Sequence, residues 1–348
     1  VCLIGSKKPY PAFDSVSSIL RGILGQKQVT ELRIADWLSG CPPLLKFFVY
    51  VFQDLLLYLK IIVSYRKEKI NTILLFQGYY PLSSIASKLL NIKLLLFIGG
   101  SGFYWSYLEH VSTISKVFAY TNLPIQKICH KFADALITLS KNMVKMIGPE
   151  QYEYKTFFAL PRIDKEFYSQ FRIIKNYEQR SNIVGFVGLL CRRKGVLNFI
   201  QSIPLITNTR NDYRFLMIGG GPLLEIIKTE AQRLKISESV KIAGFVDYDD
   251  LKKHYNEMKL YVLPAYAEGV PSTIFEAMAC GTPVLATPVG GIPDLIKDGE
   301  TGFLLKSNDP KQIAERITKL LDNPELLEKV SANAYKYVRE SFNEEKVL

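Results

Sequence analysis

Two glutamates, Glu268 and Glu276, stand eight residues apart in the run AEGVPSTIFEAMACGTPVLATPVG, residues 267–290. Between them Gly269, Val270, Pro271, Ser272 and Thr273 lead into a helix that the pattern starts near Thr273. A helix start exposes free N–H donors and carries roughly half a positive charge, which suits a phosphate. A carboxylate accepts hydrogen bonds from two vicinal hydroxyls. Two carboxylates flanking an anion site therefore suit a molecule with polyols on both sides of a phosphate group, as in a nucleotide-diphosphate sugar. A structural account of the same residues stays open: Thr273-Ile274-Phe275-Glu276 fits a capping box, and Glu268 would then be a solvated loop acid.

Further chemistry-bearing residues lie upstream. In FVGLLCRRKGV, residues 186–196, Gly188 ends a strand and permits close backbone approach, while Lys194 supplies a point charge able to neutralise a departing diphosphate. An exposed basic turn is the plain alternative. The glycines of Gly219-Gly220-Gly221-Pro222 follow a strand and open a helix, which by itself means a tight turn. Gly244-Phe245-Val246 follows a later strand. Asp247, Asp249 and Asp250 have the superficial look of a metal-binding D-x-D, but they read as the acidic start of a helix near Asp249, and no metal is expected.

These residues need elements to position them. Short apolar runs fall at Thr72–Phe76, Leu94–Ile98, Ala135–Leu139, Ile183–Val187, Phe215–Ile218, Val240–Ala243, Leu260–Leu263, Val284–Ala286 and Phe303–Leu305, with a first strand at Val1–Gly5. Helical periods fill the gaps, for example Leu223–Arg233 and Asp309–Leu321. Apolar strands alternating with helices imply parallel sheets covered on both faces, so the expectation is α/β, two doubly wound domains. The expected extents are 1–170 and 171–335, with a join near Lys165–Ser181 and a final helix, 336–348, crossing back to the first domain. Ligands of such sheets bind at the carboxyl ends of the strands, which places the site in the cleft between the domains.

Composition narrows the function classes. A chain of 348 residues suits two domains, and 48% apolar with 22% charged residues excludes a disordered or disulfide-dense protein. Cys2, Cys41, Cys129, Cys191 and Cys280 are odd in number and widely spaced, which fits a reducing cytoplasm and no zinc site. The apolar run before Lys7 and Lys8 lacks the h-region of a secretory signal. Net charge is +11, and Lys plus Arg against Asp plus Glu is 23 against 12 over residues 1–180 but 21 against 21 over 181–348. The basic half suits an anionic partner such as a membrane surface or a phosphate-bearing acceptor. Without aromatic and basic residues interleaved, nucleic acid is not expected. Leu44–Val63 has the length of a membrane span but carries Lys46, Asp54 and Lys60. Lys46, Gln53, Lys60 and Lys67 recur every seven residues as one polar stripe, so this is a helix buried on most sides or one lying partly on a membrane.

The run from Glu268 through EAMACGTPVLATPVGGIPDLIKDGETGFLL, residues 276–305, resembles the retaining, nucleotide-sugar-dependent glycosyltransferases of family 4, with their E-x7-E signature and GT-B fold of two facing Rossmann-like domains. The resemblance implies that Glu268 holds hydroxyls of the donor sugar, Glu276 the ribose hydroxyls, and the amides of Val270–Ser272 the diphosphate or sugar. Residues 186–196 resemble a family segment in which an Arg and a Lys grip the diphosphate. Lys194 matches, Leu189 stands where the Arg would be, and Arg192 or Arg193 would have to replace it from a different spacing. Gly219 and Gly221 match a turn near the nucleotide, and Phe245 and Val246 a loop that packs on the base. Residues 133–143 and 160–168 resemble further family segments. In FIGGSGFYW, residues 97–105, Gly99 and Gly102 stand where the family often has a His and an Asp, and Pro9–Asp14 replaces its first glycine-rich turn. His110 and His130 read as ordinary residues. The resemblance implies transfer from a UDP-sugar, used as substrate with no cofactor, to a lipid-linked or oligosaccharide acceptor, in a cytoplasmic protein peripheral on the inner membrane face. A catalytically degenerate donor-binding subunit that scaffolds a partner enzyme is the alternative.

Overall fold

The structure is a computed structural model that describes residues 2–6, 30–34, 43–76, 80–99, 113–147, 150–159 and 165–342. The chain divides into two compact units, Val1–Ala159 and Leu160–Leu348. The polar run 165–181 thus goes with the second unit, whose core takes in Phe171 and Tyr177.

In the first unit six parallel strands, β1 (Cys2–Ser6), β2 (Thr30–Ile34), β3 (Thr72–Phe76), β4 (Lys93–Ile98), β5 (Ala135–Thr138) and β6 (Thr156–Phe158), are ordered β2-β1-β3-β4-β5-β6. This doubly wound order reverses direction between β1 and β3. Ile73, Leu75, Leu94, Leu96, Ile98 and Leu136 form the core with Leu57 and Ile61 of the helix Pro43–Glu68.

That helix does not follow the polar stripe read from its sequence. Lys60 and Lys67 are exposed, but Gln53, Asp54 and Ser64 are buried beside Leu57 and Ile61. Asp54 faces inward because it caps another helix, Pro81–Leu89. Its carboxylate accepts from the amides of Leu82 (2.8 Å) and Ser83 (3.0 Å) and from the Ser83 hydroxyl (2.7 Å). Pro81 has no N–H to offer, so these are the first free donors of that helix. Among the described residues no helix is long and apolar enough to cross a membrane.

The second unit has β7 (Ile183–Val187), β8 (Arg214–Ile218), β9 (Val240–Gly244), β10 (Leu260–Leu263), β11 (Val284–Ala286) and β12 (Phe303–Leu304), ordered β12-β11-β10-β7-β8-β9 and parallel throughout. The winding reverses between β7 and β10, where Leu260 pairs with Val184 and Tyr261 with Gly185. Every residue of β10 and β11 is buried, which is why these strands read as unbroken apolar runs. The helix Pro324–Ser341 sets Leu327, Val330, Ala334 and Val338 into the same core. Residues 343–348, on which the expected crossing helix ends, lie outside the described residues.

Candidate active site

The winding of the second sheet reverses between β7 and β10, and the carboxyl ends of the strands at such a reversal are where open α/β sheets bind ligands. The chain leaves β7 through Gly188 to a 3-10 turn, Arg192–Lys194, and leaves β10 through residues 264–271 to the helix Ser272–Ala279. Lys194 and Glu268, far apart in sequence, meet there as an ion pair, and Arg193 Nη1 lies 3.5 Å from Glu268 Oε2. Glu268 is buried and Lys194 nearly so. Glu268 Oε1 takes its charge partner from Lys194, and Arg193 approaches the other carboxylate oxygen. The solvated loop acid is therefore not what stands at 268.

The loop that carries Glu268 is pinned on both sides. Arg193 Nη1 donates to the Ala267 carbonyl (3.2 Å), the Tyr266 amide to the Arg193 carbonyl (2.8 Å), and the Gly291 amide to the Gly269 carbonyl (2.7 Å). Gly290 has φ 58°, and a Cβ there would stand 1.9 Å from the Glu268 carbonyl oxygen, so only glycine lets the two segments touch.

Glu276 sits one turn into its helix, also buried. The capping-box reading fails in detail: the helix N-cap is Pro271, which has no side-chain cap, and Glu276 turns inward. Tyr255, wholly buried on the helix Tyr248–Glu257, donates its hydroxyl to Glu276 Oε2 at 2.9 Å. Burial holds the Glu276 carboxyl above the usual carboxylate range, opposed by hydrogen bonds from Tyr255 and Ser272 and by the charge of Lys194. Burial likewise keeps the Tyr255 hydroxyl protonated, with the negative charge of Glu276 acting in the same direction. Beneath them the Tyr261 hydroxyl lies 2.8 Å from Thr273 Oγ1 and 3.2 Å from the Val187 carbonyl. Sequence reasoning missed Tyr255; its buried helical face, shared with Leu251 and Met258, is the signal that pointed toward the core.

The ends of β7, β8 and β9 make the other rim. The Gly188 amide donates to the Ile218 carbonyl (3.0 Å), the Leu190 amide to Gly220 (2.8 Å) and the Gly219 amide to Gly244 (2.7 Å). A Cβ on Gly219, at φ 130°, would stand 1.9 Å from the Gly188 carbonyl oxygen. Gly221 packs on Leu190 in the same way. Phe245, 84% exposed, lays its ring over Gly220, while Val246 packs on the core and Leu189 is exposed at the rim.

The structure thus brings together Glu268, Glu276, Lys194 and Arg193, with Gly188, Gly219, Gly221 and Phe245 along the adjoining rim. Asp249 accepts from Gln170 and Asp250 pairs with Lys253 at the start of the helix Tyr248–Glu257. Among the described residues no group of His, Cys, Asp and Glu is arranged to hold a metal ion. His130 is buried in the first unit, where burial and the Lys155 charge push its pKa down to about 4 and keep it neutral. Gly99 is buried at the end of β4; Gly102, His110 and Pro9–Asp14 lie outside the described residues.

Residues 169–337 match the family model described as glycosyl transferases group 1. The capsular polysaccharide biosynthesis glycosyltransferase CapM of Staphylococcus aureus is 32% identical over 161 residues, 46% of this chain. The chain spans about half the length of the curated relatives it matches, 42% in the case of CapM. Among solved structures, sucrose-phosphate synthase of Thermosynechococcus elongatus superposes with a TM-score of 0.75 at 20% identity, over 99% of this chain and 95% of that one. HepE of Anabaena, solved in complex with UDP, gives 0.71 at 17% identity over 99% and 96%. Residues 169–337 are thus similar to the glycosyl transferases group 1, and the chain as a whole has the α/β fold of the GT-B glycosyltransferases.

Proposed function

We propose that this chain is a retaining glycosyltransferase that moves a sugar from a UDP-sugar to a lipid-linked or other glycan acceptor at the inner face of a membrane. The observation that carries the reading is the meeting of Glu268, Glu276 and Lys194 at the winding reversal of the second sheet. Glu276, already held by Tyr255, takes the ribose hydroxyls, and Glu268 takes hydroxyls of the donor sugar. Lys194 and Arg193 face the diphosphate, with the amides of Val270 and Ser272 at the helix start, so fixed positive charge and dipoles meet the negative charge that grows on the leaving group. A metal or cofactor has no part in this account. Gly188, Gly219 and Gly221 let the nucleotide approach the backbone, and Phe245 with Val246 packs on the base. UDP is the donor base put forward because HepE, which shares the fold, is solved with UDP and with UDP-glucose.

In the transfer, the bond from the sugar's anomeric carbon to the diphosphate oxygen breaks and a bond to the acceptor oxygen forms on the same face. The acceptor's proton passes to the departing diphosphate oxygen, so no protein base is required. A thermal-shift screen of UDP-, GDP- and ADP-sugars, followed by assay of nucleotide-diphosphate release, tests this. Donor at about a hundred times its Kd should stabilise the protein by about 2.7 kcal/mol, and Glu276→Ala should abolish that shift. No shift with any donor, or an unchanged shift in Glu276→Ala, overturns the proposal. Leu189, exposed where the resemblance has an Arg, favours a second reading, a donor-binding subunit without activity. That reading keeps the thermal shift and loses diphosphate release.

A further inference from the structure

The helix Pro43–Glu68 wears its polarity inside out. Val51, Leu55, Leu59 and Val63 are 47%, 44%, 50% and 50% exposed and follow one another at four-residue steps, so they form one ridge along the outer face, about 18 Å long at 1.5 Å per residue. Single exposed leucines are ordinary, but a continuous apolar ridge marks a binding surface. The ridge cannot be turned inward, because Asp54 on the opposite side is held by the Leu82 and Ser83 amides and Leu57 and Ile61 are locked in the core. The helix it caps, Pro81–Leu89, shows Leu82, Ile85 and Leu89 outward at helical spacing, with Leu89 77% exposed. Exposed Lys60, Arg66, Lys67 and Lys69 lie along or just beyond the first helix.

We infer that the outer face of these two helices docks on an anionic lipid bilayer, with the ridge set into the headgroup boundary and the lysines over the acidic headgroups. The inference deepens the membrane part of the proposed function by naming the surface that makes contact, and it rests on no donor chemistry. Charge selects the occupant. Residues 1–159, the unit that carries both helices, hold 18 Lys and Arg against 9 Asp and Glu, an excess that an anionic surface attracts. A second copy of the chain seated on the same face would bring the same cations against one another. Apolar area plus basic residues, in a helix unable to span, is the composition of an interfacial helix.

The test is flotation of the full chain with vesicles of phosphatidylcholine containing about one quarter phosphatidylglycerol, against phosphatidylcholine alone, at low and high salt. The wild type should float with the anionic vesicles and be partly released by salt. The double variant Leu55→Gln, Leu59→Gln should lower partitioning by about tenfold or more, since both side chains lose most of their transfer free energy. Lys60→Glu with Lys67→Glu should lower binding to the anionic vesicles and reduce its salt dependence, a change that leaves the ridge untouched. Absence of wild-type binding, equal binding by the leucine variant, or a dimer in light scattering that the leucine variant dissolves would each overturn the inference. The assay uses neither donor nor acceptor, so its failure leaves the donor site standing, and failure of the donor screen leaves this surface standing.

Discussion

Removing one hydroxyl tests how Glu276 is held. In Tyr255→Phe the ring still packs against Phe171 and Tyr261, whose centroids lie 6.2 and 5.9 Å away, so the core keeps its shape and Glu276 Oε2 loses its 2.9 Å donor. A hydrogen bond to a charged group contributes about 1.5–3 kcal/mol and one between neutral groups about 0.5–1.5 kcal/mol. The cost therefore depends on whether Glu276 is ionised. Burial raises its pKa above the ordinary 4.5, and the Tyr255 bond opposes that rise because it favours the carboxylate. A bond to the ionised form contributes fully above the folded-state pKa and fades as pH falls through it, so the difference between wild type and variant should widen as pH rises from about 4.5. About 2 kcal/mol is expected near pH 8, a Tm drop of about 4–8 °C for a unit of this size, and about half of that in acid. Thermal unfolding of both proteins across this range, with and without donor, gives the answer. An equal drop at every pH, or none, would mean that Glu276 is not a buried carboxylate restrained by Tyr255.

Two further substitutions probe the supports of the fold. Gly290→Ala should cost about 1–3 kcal/mol, because a left-handed residue then carries a Cβ that strikes the Glu268 carbonyl, and it should weaken donor binding along with stability; unfolding titrations and the donor shift measure both. Asp54→Ala should destabilise the first unit by about 1–2 kcal/mol through loss of a helix cap, and Asp54→Asn, which keeps an acceptor, by less. Burial raises the Asp54 pKa above 3.8, so the native state holds its proton longer than the unfolded chain, and wild-type stability should fall relative to Asp54→Asn as pH rises through the raised value, seen in parallel melts.

Much of the second sheet was legible because its strands are buried on both faces and carry no polar interruption: β7, β10 and β11 fall on the residues where the apolar runs stand. The strands missed in the first unit are β2 and β6, and both are edges of their sheet. An edge strand meets solvent and mixes its polarity, as in the Thr-Glu-Leu-Arg-Ile of β2, so the apolar signal vanishes. The helix Pro43–Glu68 misled for another reason. Polar residues recurring every seven positions suggest one polar stripe, but Gln53 belongs to the buried side, because the need to cap a neighbouring helix draws Asp54 and its neighbours inward. No local pattern announces a cap supplied from another helix. At the candidate site the glutamates and Lys194 were visible as a motif. Tyr255 and the approach of Arg193 were not, since they depend on which helix lies beneath Glu276 and on the 3-10 turn after β7.

The two glutamates follow the same strand end but do not share a chemistry. Glu268 is met by two cations, Lys194 and Arg193, that arrive from the far side of the winding reversal. Glu276 is met by the hydroxyls of Tyr255 and Ser272, on elements of its own half of the sheet. A carboxylate ringed by hydroxyl donors is already in the kind of environment that sugar hydroxyls provide, so replacing or joining those donors disturbs little. A carboxylate tied to cations instead fixes where those cations stand, and under the proposed function a largely buried cation held at one point meets the charge that develops on the diphosphate. Lys194 also lowers the Glu276 pKa, so the same charge reaches both acids. The eight-residue spacing therefore matters less as a distance between carboxylates than as the means by which one strand end supplies both an anchor for hydroxyls and a holder for positive charge.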